Sequence, residues 1–209
     1  TDCSPGFGSV AKYIATSTLE AGLDVKSMAE TSTKVFILEV MGRHAGWIAA
    51  ASCLAATKAG DPPHIILLPE VPFEKTKFIT QVKQTVKEQG YCVIVASEGT
   101  QTKNGKFLAD SGLTDAFGHK QLGGVAPVLA GMISKIGLKN HWAVADYLQR
   151  SARHIASKTD LDQAYAVGEH AVKLAIAGKT ALMPIIKRTS DSPYKWKIAT
   201  APLKNVANI

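Results

Sequence analysis

Two short motifs that follow apolar runs carry side chains suited to phosphate and sugar groups. A Met-Gly-Arg motif at residues 41–43 comes directly after the apolar run at residues 34–40. A Ser-Glu-Gly motif at residues 97–99 follows a second apolar run at residues 91–96. A guanidinium group can bond two oxygens of a phosphate or carboxylate at once. A carboxylate accepts hydrogen bonds from hydroxyl groups, so the motifs predict contacts to a phosphate or a sugar.

Two further segments are dense in hydrogen-bond donors. Residues 118–124 read Gly-His-Lys-Gln-Leu-Gly-Gly and lead into a predicted helix, where backbone N–H groups suit an anion. Residues 147–154 contain a tyrosine, two arginines and a histidine. Helical spacing would place Tyr147 beside Arg150, and Arg150 beside His154, on one face. Both segments are therefore candidate anion-binding sites.

Each of these segments also has an interpretation that involves no ligand. Arg43 could form a local salt bridge, Glu98 could cap a helix or hold a turn, and residues 118–124 could be a solvated turn. Residues 147–154 could form the solvated basic face of a helix. The chain contains neither a P-loop nor a G-x-G-x-x-G motif. No Ser-His-Asp or Cys-His arrangement stands out, and no pair of cysteines has the spacing of zinc ligands.

The order of helices and strands predicts an α/β fold with a mainly parallel sheet. Continuous apolar runs, rather than alternating ones, are typical of parallel strands that are buried on both faces. The predicted elements are helices at residues 6–30, 45–58 and 75–89 and strands at residues 34–41, 64–68 and 91–96. Ligands of open parallel sheets bind outside the carboxyl ends of the strands. The Met-Gly-Arg and Ser-Glu-Gly motifs should therefore lie at one edge of the sheet.

The second half of the chain is less regular. Polar and glycine-bearing residues 100–115 predict a loop, and a helix is expected at residues 123–137. Residues 142–156 have strand character at first and helix character after Tyr147. The remaining predicted elements are a helix at residues 160–177, capped by Thr159 or Asp160, and an antiparallel hairpin of strands at residues 181–188 and 194–202.

Composition excludes several classes of protein. The net charge is +7, but the basic residues are dispersed without interleaved aromatic residues, which disfavours a nucleic-acid-binding protein. A site for multiply charged phosphates accounts for part of the positive charge equally well. No apolar run reaches the ~18–20 residues that span a bilayer. Three widely spaced cysteines predict thiols in a reducing compartment, so we expect a cytoplasmic protein.

Five segments, in this order, resemble the pyrophosphate-dependent phosphofructokinases: residues 1–9, 39–46, 97–99, 117–124 and 147–159. The resemblance runs from Thr1 to about Gly178. It implies a Rossmann-like three-layer αβα fold with a mainly parallel sheet, as in the C-terminal half of the phosphofructokinase fold. Residues 1–178 would form a sugar-phosphate-binding domain whose first 30 residues pack toward an N-terminal domain. Residues 179–209 would form C-terminal strands.

The resemblance implies a magnesium-dependent phosphotransferase of glycolysis. The enzyme would transfer a phosphoryl group from pyrophosphate to the 1-hydroxyl of fructose 6-phosphate, giving fructose 1,6-bisphosphate, and would be a homo-oligomer. Leu122 stands where ATP-dependent relatives usually have arginine, which favours pyrophosphate as the donor. An ATP-dependent phosphofructokinase and a non-catalytic sugar-phosphate-binding module remain the alternatives.

The family's fructose 6-phosphate site also carries over residue by residue. Arg43 would stabilise charge at the sugar or at the transferred phosphate, Arg150 and Tyr147 would hold the 6-phosphate, and Glu98 and His119 would orient the sugar. Lys34 would reach the site of a neighbouring subunit. The full set of residues implied to contact fructose 6-phosphate is Met41, Gly42, Arg43, Glu98, His119, Tyr147, Arg150 and Lys34.

The family's donor loops and its catalytic T-I-D-N-D segment precede the position of Thr1. The aspartate of that segment is the general base, so the catalytic carboxylate is expected outside this sequence. The sequence starts without methionine and without the features of a signal peptide. We therefore expect a C-terminal portion of the enzyme that is inactive alone, since loss of a general base typically costs ~10²–10⁴-fold in rate.

Overall fold

The computed structural model describes residues 3–114, 120–122 and 124–206. Contacts divide the chain into a larger unit, Val10–Ala152, and a smaller unit, Thr1–Ser9 with Arg153–Ile209. This division differs from the expected boundary at residue 178. The helix that follows Ser157 groups with the C-terminal hairpin because it contacts both strands of that hairpin.

The larger unit contains the predicted parallel sheet. Its strands are β1 (Val35–Val40), β2 (Ile65–Leu67), β3 (Cys92–Ser97) and β6 (Asn140–Val144). Among the described residues these four strands pair in the order β2-β3-β1-β6, and every neighbouring pair is parallel. The short strands β4 (Asp110–Thr114) and β5 (Lys120–Leu122) form a separate antiparallel pair.

Helices cover both faces of the sheet. They are α1 (Phe7–Met28), α2 (Trp47–Ala51), α3 (Lys75–Gln89) and α4 (Val125–Ser134). A 3₁₀ turn at Ser52–Ala55 follows α2, and the short helix α5 (Leu148–Ser151) follows β6. Val35 and Ile37 of β1 pack in the cluster that contains α3 and α4 residues. Leu38 and Val40 pack in the cluster that contains α1 and α2 residues. Burial on both faces is the reason for the continuous apolar strands, and the predicted three-layer αβα fold is confirmed.

Two predictions for this unit are wrong. A single helix was expected at residues 45–58, but the α-helix spans only Trp47–Ala51. A 3₁₀ turn at Ser52–Ala55 follows it. The loop expected at residues 100–115 contains strand β4, whose pairing partner β5 lies in the segment expected to be a turn. Polar, glycine-bearing sequence has little strand propensity of its own. The strand forms through pairing with β5, and the polar residues of the two segments give no signal of that pairing.

The smaller unit contains helix α6 (Lys158–Ile176), a 3₁₀ turn at Arg153–Ile155 and the hairpin of β7 (Leu182–Asp191) and β8 (Tyr194–Pro202). The predicted hairpin is confirmed. The predicted cap of α6 is wrong, because the helix begins after Ser157. Asp160 is buried and accepts hydrogen bonds from Ser9 N–H (2.6 Å) and Ser9 Oγ (2.7 Å) at the start of α1. None of the described helices is both long and apolar enough to cross a membrane.

Candidate functional site

The carboxyl ends of β1, β3 and β6 lie side by side at one edge of the sheet. Glu39 in β1 is in register with Ala96 of β3 and Val144 of β6. The residues that follow each strand therefore meet at this edge. The structure brings together the Met-Gly-Arg motif, the Ser-Glu-Gly motif and the segment that contains Tyr147 and Arg150.

Glu98 holds the Met-Gly-Arg turn by a hydrogen bond. The Gly42 N–H donates to Glu98 Oε1 at 3.1 Å, and the Glu98 N–H donates to the carbonyl of Val40 at 2.9 Å. The hydroxyl of Ser97 also donates to the Gly42 carbonyl. Among the described residues, no donor contacts Glu98 Oε2. One carboxylate oxygen thus holds the turn, as the interpretation without a ligand predicted, while the other remains available to a ligand.

Gly99 allows the two motifs to pack backbone against backbone. A Cβ atom at this position would overlap the carbonyl oxygen of Arg43 and would lie 2.5 Å from that of Gly42. Gly42 itself has φ +144°, a conformation that side chains rarely adopt. Both glycines are required for this close approach, which fixes the backbone that carries the Arg43 side chain.

Arg43 carries a buried donor without a partner. Its side chain is half-buried, and its Nε is shielded from solvent and has no hydrogen-bond partner among the described residues. No described carboxylate forms an ion pair with it. An unpaired buried donor costs about 1–3 kcal/mol, so a ligand oxygen at this position would remove that cost. The structure of the described residues therefore does not show the local salt bridge that was the alternative for Arg43.

Tyr147 and Arg150 form an exposed pair. The Arg150 guanidinium carbon lies 4.5 Å from the centre of the Tyr147 ring, and Tyr147 is 63% exposed. Stacking on an aromatic face favours one orientation of the guanidinium group. The alignment predicted between Arg150 and His154 is wrong. Helix α5 ends at Ser151, and Ala152 has φ −72° and ψ 78°, so helical spacing does not continue.

Two side chains that support the turn were not among the predicted site residues. Gln149 is 1% exposed, accepts a hydrogen bond from Met41 N–H (3.3 Å) and donates to the Asp146 carbonyl (2.8 Å). Glu70, which follows β2, accepts a hydrogen bond from Gly46 N–H at 2.7 Å. Residues beyond β2, β3 and β6 thus all bond to the segment that follows β1. The sequence carries no signal of this role for Gln149, which lies between Leu148 and Arg150 in a polar segment.

A third residue missed by the sequence reasoning is Glu39, the one charged residue within β1. Its carboxylate accepts hydrogen bonds from Gly124 N–H (3.0 Å) and Ala126 N–H (2.8 Å) at the start of α4. Burial raises the pKa of the Glu39 carboxyl above its usual value, and the charge of Glu98 adds to the rise. The backbone hydrogen bonds from Ala126, Gly124 and Val125 act in the opposite direction. A charge inside an apolar strand was the available signal.

Two predicted site residues are not part of this group. Lys34 precedes β1, at the end of the strand opposite to Met41, and its ammonium donates to the carbonyl of Ala29. A contact from Lys34 to a neighbouring subunit remains a prediction. His119 lies outside the described residues.

The sequence profile of the phosphofructokinase family matches residues 1–175 of the chain. The chain belongs to the phosphofructokinase family. It is 68% identical over its whole length to a pyrophosphate–fructose 6-phosphate 1-phosphotransferase from Halomonas elongata. It is 58% identical to the enzyme of the same name from Methylococcus capsulatus. The chain spans about half the length of the curated relatives that it matches, covering 50% of each of these two.

A solved structure shows the same fold. The crystal structure of a pyrophosphate-dependent phosphofructokinase from Marinobacter aquaeolei matches the whole chain with a TM-score of 0.84 and 61% sequence identity. The chain covers 49% of that protein. The fold predicted from the family resemblance, about half of a phosphofructokinase, is confirmed.

Proposed function

We propose that the protein to which this chain belongs transfers a phosphoryl group from pyrophosphate to the 1-hydroxyl of fructose 6-phosphate. The product would be fructose 1,6-bisphosphate, a step of glycolysis, and this chain would supply the fructose 6-phosphate site. The observation that carries this proposal is the buried, unpartnered Nε of Arg43 on a turn held by neighbouring strand ends. The names of the relatives from Halomonas and Methylococcus support the reaction.

Phosphoryl transfer depends mainly on positioning and on stabilising charge in the transition state. A turn that is bonded to Glu98, Gln149 and Glu70 holds the backbone of Arg43 before substrate arrives. In our proposal, Arg43 bonds the sugar or the phosphate being transferred. The free carboxylate oxygen of Glu98 accepts a hydrogen bond from a sugar hydroxyl, and His119 also orients the sugar.

The pair formed by Tyr147 and Arg150 suits the 6-phosphate, which does not react. Both side chains are exposed at the same edge of the sheet, and no described carboxylate pairs with Arg150. The phosphate would therefore not have to displace an acidic partner among the described residues. Met41 and Gly42 would contact the sugar through the turn, and Lys34 would serve the site of a neighbouring subunit in a homo-oligomer.

Magnesium is part of the proposed reaction. Among the described residues, no group of three or more histidine, cysteine, aspartate or glutamate residues could hold a metal ion. Mg²⁺ commonly binds through substrate phosphates with only one or two protein carboxylates. The ion would accompany pyrophosphate. We also propose a cytoplasmic location, where the substrates of glycolysis occur.

A coupled assay with the full-length protein tests the donor. We expect Mg²⁺-dependent turnover of fructose 6-phosphate with pyrophosphate and much lower turnover with ATP. A strong preference for ATP would refute pyrophosphate as the donor. Absence of turnover with both donors would favour a sugar-phosphate-binding module, which isothermal titration with fructose 6-phosphate would then detect.

A further inference from the structure

Glu39 is a buried carboxylate to which the proposed reaction assigns no role. Glu39 is 1% exposed, and no basic side chain among the described residues forms an ion pair with it. Instead, backbone N–H groups at the start of α4 satisfy its oxygens: Gly124 N–H at 3.0 Å and Ala126 N–H at 2.8 Å. These donors carry the partial positive charge of a helix N-terminus, which stabilises a carboxylate. The contact joins residues 85 and 87 positions apart in the sequence.

Glu39 connects three segments of the candidate site. Two residues after it, β1 leads into the turn that carries Arg43. Its backbone carbonyl accepts a hydrogen bond from the N–H of Ala145, directly before the segment that contains Tyr147 and Arg150. Its side chain bonds Gly124, the last residue of the Gly-His-Lys-Gln-Leu-Gly-Gly segment. A displacement of Glu39 would therefore change the separation of groups proposed to hold one sugar phosphate.

Both sides of the contact between Glu39 and the start of α4 would lose stabilising free energy without the other. Burying a carboxylate is expensive unless hydrogen bonds replace its lost hydration. Conversely, an apolar residue at position 39 would leave the N–H groups of Gly124 and Ala126 without their acceptor. Buried donors that lose their partner move toward water or another acceptor, since the penalty for staying unpaired is large. The start of α4 would then shift relative to β1.

We propose that Glu39 is a positioning residue for the sugar phosphate. Its carboxylate holds the start of α4, at Gly124 and Ala126, against the turn that carries Arg43. Glu39 does not touch the substrate, because it is buried beneath the edge of the sheet. This inference rests on the proposed function, since the segments that it joins are those assigned to fructose 6-phosphate.

The test is steady-state kinetics of the full-length protein with the substitution Glu39→Gln. The glutamine amide has the same shape, but its NH₂ group must face one of the two N–H donors. We expect the KM for fructose 6-phosphate to rise about tenfold, as for loss of one hydrogen bond to a charged group. The KM for pyrophosphate should stay within about twofold of the wild type. Loss of folded protein alone would lower the apparent kcat and leave both KM values unchanged.

Asn140→Ala is the matched control, because it loosens the opposite end of the same helix. The Asn140 amide donates to Ser134 Oγ at 2.9 Å and to the Leu138 carbonyl at 3.1 Å. We expect a lower melting temperature and unchanged KM values. If Asn140→Ala raises the KM for fructose 6-phosphate as much as Glu39→Gln does, general loosening of α4 explains the effect and the inference is wrong.

Gly124→Ala approaches the same contact from the other side and decides the question if Glu39→Gln does not fold. Gly124 has φ +94°, which strains any other residue, although the nearest atom to an added Cβ is 3.8 Å away. The same selective rise in the KM for fructose 6-phosphate is expected. Normal wild-type turnover with unchanged KM values in the folded variants would refute this inference alone. Absence of wild-type turnover would refute the proposed function, and this inference with it.

Discussion

Replacing Gly99 with alanine tests whether contact between the two strand-end motifs sets the position of Arg43. The added Cβ would overlap the carbonyl oxygen of Arg43 and lie 2.5 Å from that of Gly42, whereas real Cβ atoms stay beyond 3.0 Å. The two backbones must therefore separate by roughly half an ångström at Gly42, and by more at Arg43, because close-packed interiors have no spare room. The obstacle is backbone rather than a flexible side chain, so it cannot rotate away.

The expected magnitude follows from this displacement. Overpacking of a well-packed site costs about 1–3 kcal/mol of stability. A shift of about 1 Å in a group that positions substrate can lower the rate by about 10²-fold. We therefore expect Gly99→Ala to lower kcat/KM for fructose 6-phosphate by about 10–100-fold in the full-length protein. It should also lower the melting temperature.

The control is Gly131→Ala, at an exposed position within α4 where an added Cβ meets no atom within 4 Å. Alanine in a helix interior is favoured over glycine by about 1 kcal/mol, so this variant should be at least as stable as the wild type and equally active. Coupled kinetics and thermal unfolding of the two variants are the measurements. The reasoning about the strand-end contact is refuted if Gly99→Ala retains wild-type kcat/KM within twofold.

Two further predictions concern the arginines and the cysteines. Arg150→Ala should raise the KM for fructose 6-phosphate at a cost of about 1.5–3 kcal/mol, whereas Arg43→Ala should mainly lower kcat. Steady-state kinetics of both variants checks this, and values within twofold of wild type in both would contradict the site assignment. Burial raises the pKa of the Cys92 thiol to about 12, whereas Cys53 is exposed. Iodoacetamide at pH 8 should label Cys53 and spare Cys92 until unfolding, and peptide mass spectrometry measures the labelling.

Local chemistry made one helix predictable to the residue, and three strands predictable to within one residue at each end. Helix α3 spans the predicted 75–89, because its apolar residues share one face and Gly90, with φ +83°, ends it. The apolar runs of β1 and β3 predicted buried parallel strands, and the general position of ligands at strand ends placed the Arg43 and Glu98 motifs together. These features depend on neighbours in the sequence or on a rule common to all parallel sheets.

The contacts that hold the candidate site depended on tertiary structure. Glu39 accepts a hydrogen bond from Gly124, 85 positions away, and Gln149 accepts one from Met41, 108 positions away. No local sequence pattern indicates which N–H groups these side chains contact. Asp160 accepts hydrogen bonds from Ser9, 151 positions away, instead of capping its own helix. The family, the layers and the edge of the sheet that carries the candidate site were thus predictable from the amino-acid sequence. The three-dimensional packing alone decided which buried polar groups hold that edge, since hydrogen bonds across strands are fixed only when the strands meet.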